Sequence, residues 1–221
     1  MCAIVGSNNF QRFIELIDLN KIRGNLTFGG LFVSADRYHV IKLDSLSNIN
    51  EKLKRFSTDT LYFLGHLQAP TSSERTINTD NIHPFVSGNY ICAHNGVLTN
   101  FEDLLKTHSI TNHQSRVDSS IIPRLIDKYV YQRQLSPVDA IKTVLQEING
   151  TYSLWLYDKG DRSVYFARLS STVFYDTVDI SSVKTGNMIE LPEYKIYKLD
   201  LRDNKLTIVS EFSAVSHFFT L

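Results

Sequence analysis

Three blocks of pattern follow one another along this chain, and their order narrows the fold more than any single residue does. Strand signals with short helical interludes run from Cys2 to about Ala93. Two helical patterns follow, Asp118–Gln132 and Pro137–Ile148, with Ser136-Pro137 as a start signal for the second. After Gly150 the strands return, at Tyr152–Tyr157, Val164–Leu169, Lys195–Leu201 and Leu206–Phe212, the last two joined by a turn at Asp203-Asn204. Strands on both sides of a helical block predict helices layered on sheets.

The first block reads as a short strand at Cys2–Gly6 and a helix over Asn9–Arg23, with Phe10, Phe13, Ile14 and Ile17 on one face. Arg23-Gly24-Asn25 is a turn that leads through Gly29-Gly30 into a strand at Leu31-Phe32-Val33, and Tyr38–Leu43 pairs with it. Ile49–Phe56 is a short helix, and Thr60–Leu67 an apolar strand ending at Gly65-His66. The polar stretch Ala69–His83 is a long loop, and such loops inside domains are usually functional or disordered. Tyr90–Ala93 is a short strand that runs into His94-Asn95-Gly96, and Asn100–Lys106 is helical. There is no repeat, linker or low-complexity tract, so residues 1–221 read as one domain.

Bulk properties exclude several classes. Lys plus Arg is 23 and Asp plus Glu is 23, so the chain lacks the basic footprint of a nucleic-acid binder. No apolar run is long enough for a membrane span, and no charged n-region precedes an apolar stretch. Two cysteines without an export signal argue against a disulfide framework. The expectation is a cytoplasmic protein.

Cys2 carries the sharpest chemical possibility. Removal of Met1 would leave a thiol and a free α-amine on one residue. The amine titrates at about 8 and the thiol at about 8.5, so the amine can take the thiol proton near neutral pH. The plainer alternative is a small apolar residue opening a buried strand. Other residues carry similar pairs of readings. Asn95-Gly96 is also a favoured hairpin pair, Asp118 a helix N-cap, and Arg23 a solvated charge after a helix. His66, His83 and His94 match no compact ligand spacing, so they read as structural histidines with no metal, and Cys92 as core.

Taken in order, Met1-Cys2-Ala3-Ile4-Val5-Gly6, Arg23-Gly24, Gly65-His66-Leu67-Gln68 with Thr71, His94-Asn95-Gly96 and Asp118 resemble the class II glutamine amidotransferase domain, a family of N-terminal-nucleophile hydrolases. The motifs run from Cys2 to about Asp158 and fade beyond. The resemblance implies an α+β fold, a four-layer αββα sandwich of two stacked, mainly antiparallel sheets flanked by helices. It also implies that Cys2 attacks the side-chain amide of glutamine, forms a thioester and releases ammonia, with no cofactor. Asn95 and the Gly96 N–H would hold the oxyanion, Asp118 the substrate α-ammonium, and Arg23 would support the Cys2 region.

One position departs from the family. Where the family usually carries an arginine for the substrate α-carboxylate, this chain has Gln68. Losing that charged bond is worth roughly 1.5–3 kcal/mol, or about ten- to a hundredfold in affinity. Thr71 matches a substrate-contacting position, and Arg75 on the same loop is a second candidate to compensate. The family usually also carries a domain that consumes the ammonia. This chain stops at Leu221, which implies a separate synthase subunit as partner. The apolar stretch Phe212–Phe219 is either part of that interface or a last element folded on the core. Two alternatives stand beside glutamine hydrolysis: an amidohydrolase for another amide, and a binding module that keeps the fold without the chemistry.

Overall fold

The computed structural model describes residues 1–69, 77–111, 115 and 117–214. Thr71, Arg75 and the end of the apolar stretch, from Val215 on, lie outside the described residues. The chain begins with β1 (Ala3–Ser7), α1 (Phe10–Asn20), β2 (Thr27–Ser34), β3 (Tyr38–Leu43), α2 (Ile49–Lys54) and β4 (Thr60–Gln68). There follow β5 (Phe85–Ser87), β6 (Tyr90–Leu98), α3 (Phe101–Thr107), α4 (Ile121–Arg133), α5 (Pro137–Glu147), β7 (Gly150–Asp158) and β8 (Ser163–Leu169). The last elements are β9 (Phe174–Asp176), β10 (Asp179–Ser181), β11 (Ile189–Glu190), β12 (Lys195–Asp200) and β13 (Lys205–Glu211).

These elements form two compact units, each with one sheet and its own helices. The first unit comprises Met1–Pro84, Thr172–Leu191 and Leu201–Lys205. Its seven-stranded sheet has the order β11-β9-β10-β1-β4-β2-β3. β1 and β2 are buried at every residue, which is why both read as apolar runs without alternation. Helix α1 starts where the Asn9 side chain accepts the Arg12 N–H. Its apolar face joins a core of Phe13, Phe28, Phe32 and Phe63, with Phe13 and Phe63 stacked at 5.3 Å. Such aromatic pairs add about 0.5–1.5 kcal/mol beyond the area they bury.

The pattern predicts α1 as far as Arg23, but it stops at Asn20. The buried Asn20 amide donates to the Leu16 carbonyl and to Ser181 Oγ, both at 2.8 Å, and ties the helix end to β10. The chain then turns tightly through Gly24. A Cβ there would lie 2.3 Å from the Leu67 carbonyl oxygen, so only glycine lets this turn lie against the end of β4. The Leu26 N–H completes the contact by donating to the Gln68 carbonyl at 2.9 Å.

The second unit comprises Phe85–Ser171, Pro192–Asp200 and Leu206–Leu221. Its six-stranded sheet has the order β13-β12-β8-β7-β6-β5. The pairings β5–β6, β6–β7, β7–β8 and β8–β12 are all antiparallel. α4 and α5 bury Leu125, Ile126, Ile141, Val144 and Leu145 in this unit's core. Ser136 caps α5 by accepting the Asp139 N–H, and Pro137 fills the first turn, as the sequence predicts.

The structure differs from the sequence reading at β6. Asn95-Gly96 is not a hairpin turn: the strand continues to Leu98, with Asn95 opposite Ser153 and Gly96 opposite Tyr152. The strands β5, β9, β10 and β11 are two or three residues long, too short for a periodic signal. β10 owes its existence to pairing with β1 through Val5↔Ser181 and Gly6↔Ile180. The turn at Asp203-Asn204 is present, with Asn204 left-handed and the Lys205 N–H on Asp203 Oδ1.

Candidate active site

The sequence-predicted residues form two groups, one in each unit. In the first unit Cys2 is half-buried immediately before β1, and its Sγ accepts the Ala69 N–H at 3.5 Å. Arg23 reaches the same residue from the turn after α1. Its Nε donates to the Cys2 carbonyl at 3.2 Å and its Nη1 to Thr172 Oγ1 at 3.1 Å. Thr172 donates in turn to the Ser182 carbonyl, and Ser182 Oγ accepts the Ile4 N–H at 3.0 Å. Arg23 is therefore not a solvated charge; it anchors the chain at Cys2. Burial lowers its pKa, and attraction to the Cys2 thiolate opposes that shift. Met1 is 82% exposed.

Gln68 ends β4 one residue before Ala69. Its Oε1 accepts the hydroxyl of Thr27 at 2.9 Å, its register partner on β2, which leaves the NH2 end as the available donor. His66 and His83 are buried with their rings 3.9 Å apart, tilted by 32°. Among the described residues no group of three or more His, Cys, Asp or Glu is arranged to hold a metal.

The second unit carries Asn95, Gly96 and Asp118. Asn95 is 3% exposed, and its Nδ2 donates to Ser153 Oγ and Ser171 Oγ, each at 3.3 Å. Gly96 is exposed, with φ at +155°. A Cβ there would lie 1.9 Å from the Thr151 carbonyl oxygen, so glycine is obligatory. Asp118 opens a 3-10 turn ahead of α4. Its Oδ2 accepts the Leu98 N–H at 2.6 Å, and its Oδ1 accepts the Ser119 N–H at 2.7 Å and hydroxyl at 3.1 Å. Asp118 thus ties the start of the helical block to the end of the Asn95-Gly96 strand.

Beneath this tie is His94. Its Nδ1 meets Ser119 Oγ at 2.7 Å and its Nε2 meets the Thr151 carbonyl at 3.2 Å. Burial holds its pKa below the ordinary histidine value, with Asp118 pulling the other way. Burial also pushes the Cys92 thiol well up, as suits a core cysteine. Ser119, Ser153, Ser171 and Thr172 carried no signal in the sequence, because serines and threonines in strands and turns are commonplace. A separate polar cavity of about 380 Å³ is lined by residues including Ser87, His108, Arg124, Lys128 and Tyr131, and by none of the sequence-predicted site residues.

Residues 74–175 match the family described as glutamine amidotransferase domain. A glutamine–fructose-6-phosphate aminotransferase of Lactiplantibacillus plantarum is 29% identical over 220 residues, covering 95% of this chain and 36% of the relative. The corresponding Sulfurisphaera tokodaii protein is 21% identical over 220 residues, 95% of this chain and 37% of its own length. The chain thus spans just over a third of the length of these curated relatives. Among solved structures, the glutamine phosphoribosylpyrophosphate amidotransferase from B. subtilis matches with a TM-score of 0.77 at 16% identity, over 96% of this chain and 49% of that one. A glutamine aminotransferase class-II domain protein from Silicibacter pomeroyi matches with a TM-score of 0.63 at 15% identity, over 96% of this chain and 100% of that one.

The fold is that of the N-terminal-nucleophile glutamine amidotransferases, two antiparallel sheets with flanking helices. The match over residues 74–175 and the relatives at 21% and 29% identity make the chain similar to the glutamine amidotransferases, which are enzymes.

Proposed function

We propose that the whole chain works as one glutaminase domain, which hydrolyses the side-chain amide of glutamine through a thioester on Cys2 and supplies ammonia to a separate synthase. The observation that carries this reading is the setting of Cys2. A half-buried thiol accepts a backbone N–H, and the guanidinium of Arg23 fixes the Cys2 carbonyl. Inert core cysteines lack such a setting.

On this reading removal of Met1 frees the α-amine, which takes the thiol proton. The thiolate attacks the glutamine Cδ, and the carbonyl π electrons move onto oxygen. Asn95 and the Gly96 N–H donate to that oxyanion, a contribution of about two to three powers of ten per donor. The protonated amine then gives its proton to the leaving nitrogen, and ammonia departs. Water attacks the thioester, the Cys2 thiol is regenerated, and glutamate leaves. Asp118 would accept the substrate α-ammonium with the lone pairs that Leu98 and Ser119 leave over. Gln68, Thr71 and Arg75 would meet the α-carboxylate without a fixed arginine at position 68. The chemistry requires no cofactor or metal, and ammonia transfer to a soluble acceptor suits the cytoplasm. No helix among the described residues is long and apolar enough to cross a membrane.

Gln68 also favours a second reading, an amide other than free glutamine, because a neutral amide grips a carboxylate weakly. The test is ammonia release by the matured chain from glutamine and from a panel of other amides, beside Cys2→Ala. Release from glutamine that Cys2→Ala abolishes supports the first reading. Release only from another amide supports the second. Release that survives in Cys2→Ala refutes both.

A further inference from the structure

Asn95, Ser153 and Arg168 form one cross-strand row, because Asn95 is the register partner of Ser153 and Ser153 that of Arg168. Register partners in an antiparallel sheet project from the same face. Just after β8 the chain folds back over this row through Ser170, which is left-handed at φ +53°. That brings Ser171 onto the row: its Oγ lies 3.2 Å from Ser153 Oγ, 3.2 Å from the Asn95 carbonyl and 3.3 Å from Asn95 Nδ2. The fold-back is clamped. Arg168 Nη1 donates to the Ser171 carbonyl at 2.9 Å, and Arg168 also pairs with Glu193, whose Oε1 accepts the Ser170 N–H at 2.8 Å.

The hydrogens of the Asn95 amide can be accounted for. An asparagine amide has two N–H donors. The hydroxyls of Ser153 and Ser171 both accept from Nδ2, and because their oxygens lie only 3.2 Å apart, the two N–H bonds cannot both point straight at them. Each bond is 3.3 Å, beyond the usual range of about 2.7–3.2 Å, so each is weak. An oxyanion is a charged acceptor and forms a bond roughly twice as strong. One of the two hydroxyl bonds can therefore be exchanged for the oxyanion at small cost while the other keeps the amide in place.

We propose that Ser153 and Ser171 are positioning residues for Asn95: the hydroxyl pair, with Ser171 locked by Arg168 and Glu193, holds the amide where one donor swings from a serine to the oxyanion. This rests on the reading of Asn95 as an oxyanion donor. Removal of a hydroxyl leaves the amide free to turn, so the loss falls on turnover and not on substrate binding.

The test is steady-state hydrolysis of glutamine and of γ-glutamyl p-nitroanilide by the matured full chain. Ser171→Ala is expected to lower kcat about tenfold, part of what a whole donor is worth, with KM within about twofold. Ser171→Thr, which keeps the hydroxyl, restores most of it. In an Asn95→Ala background, Ser171→Ala changes kcat by less than about twofold, because the residue through which it acts is gone. Ser153→Ala, at a fully buried site where alanine fits, shows the same signature and stands in if Ser171→Ala folds poorly. An unchanged kcat in both serine variants, or an equal loss with and without Asn95, overturns the proposal. Full activity in Asn95→Ala overturns the oxyanion reading itself, and the inference with it.

Discussion

Replacing Gly96 by alanine tests whether the strand carrying Asn95 is built as described. An alanine Cβ would lie 1.9 Å from the Thr151 carbonyl oxygen, 2.6 Å from its carbon and 2.7 Å from His94 Nε2. The neighbours are a backbone carbonyl on β7 and a buried ring, neither of which can swing aside. The backbone itself is at φ +155°. Holding a non-glycine residue there costs about 1–3 kcal/mol, and the overpacking about 1–3 kcal/mol more. The sum, about 4 kcal/mol, is a large share of the 5–15 kcal/mol typical of a folded domain. With a urea slope of about 2 kcal/mol/M, the midpoint falls by about 2 M. Gly160 in the same unit is the control. Its Cβ would meet only side-chain atoms, Asp158 Oδ1 at 3.1 Å and Asn89 Nδ2 at 3.8 Å, so Gly160→Ala costs about 1 kcal/mol or less. Urea titration of both variants, followed by far-UV circular dichroism, reads the difference directly. Equal midpoints for Gly96→Ala and Gly160→Ala would refute the reasoning.

Further outcomes follow from the same contacts. Cys2→Ala should abolish ammonia release while shifting stability by less than about 0.5 kcal/mol, since the N–H···S contact of its half-buried thiol is long, at 3.5 Å; residual turnover would remove Cys2 from the chemistry. Gln68→Arg should lower the KM for glutamine about ten- to a hundredfold, and an unchanged KM would place the α-carboxylate elsewhere. His94 binds its proton less readily in the folded state than the ordinary value of about 6.5, because burial disfavours the charged ring. The unfolded chain therefore takes up a proton that the folded one refuses. The stability His94 contributes is full above about pH 6.5 and is lost as the pH falls below it, by up to about 1.4 kcal/mol per pH unit. Urea midpoints at pH 7.5 and 5.5 should fall further for the parent than for His94→Gln; parallel falls would contradict this.

Much of the fold was legible because its elements carry local signals. The hairpin strand Tyr38–Leu43 and the Ser136-Pro137 helix start match the structure residue for residue. The failures have a common cause. β9, β10 and β11 are strands only because neighbours pair with them, and α1 ends at Asn20 because of a bond to Ser181, 161 residues away. The Asn-Gly pair that favours a turn locally is overruled by nine residues of pairing between β6 and β7. The candidate site divides in the same way. Cys2, Asn95-Gly96 and Asp118 were visible because their residue types carry chemistry in a set order. Ser153 and Ser171 were not, because they meet Asn95 from 58 and 76 residues away and look ordinary in their own segments.

The central claim is a matured nucleophile at Cys2 in a pocket that accepts glutamine. Intact mass spectrometry of the purified chain, before and after incubation with a diazo-ketone analogue of glutamine, tests it most directly. The account predicts loss of Met1 and a single covalent adduct that maps to Cys2 and is absent from Cys2→Ala. A matured chain that takes up no adduct, or one modified equally in Cys2→Ala, would contradict it.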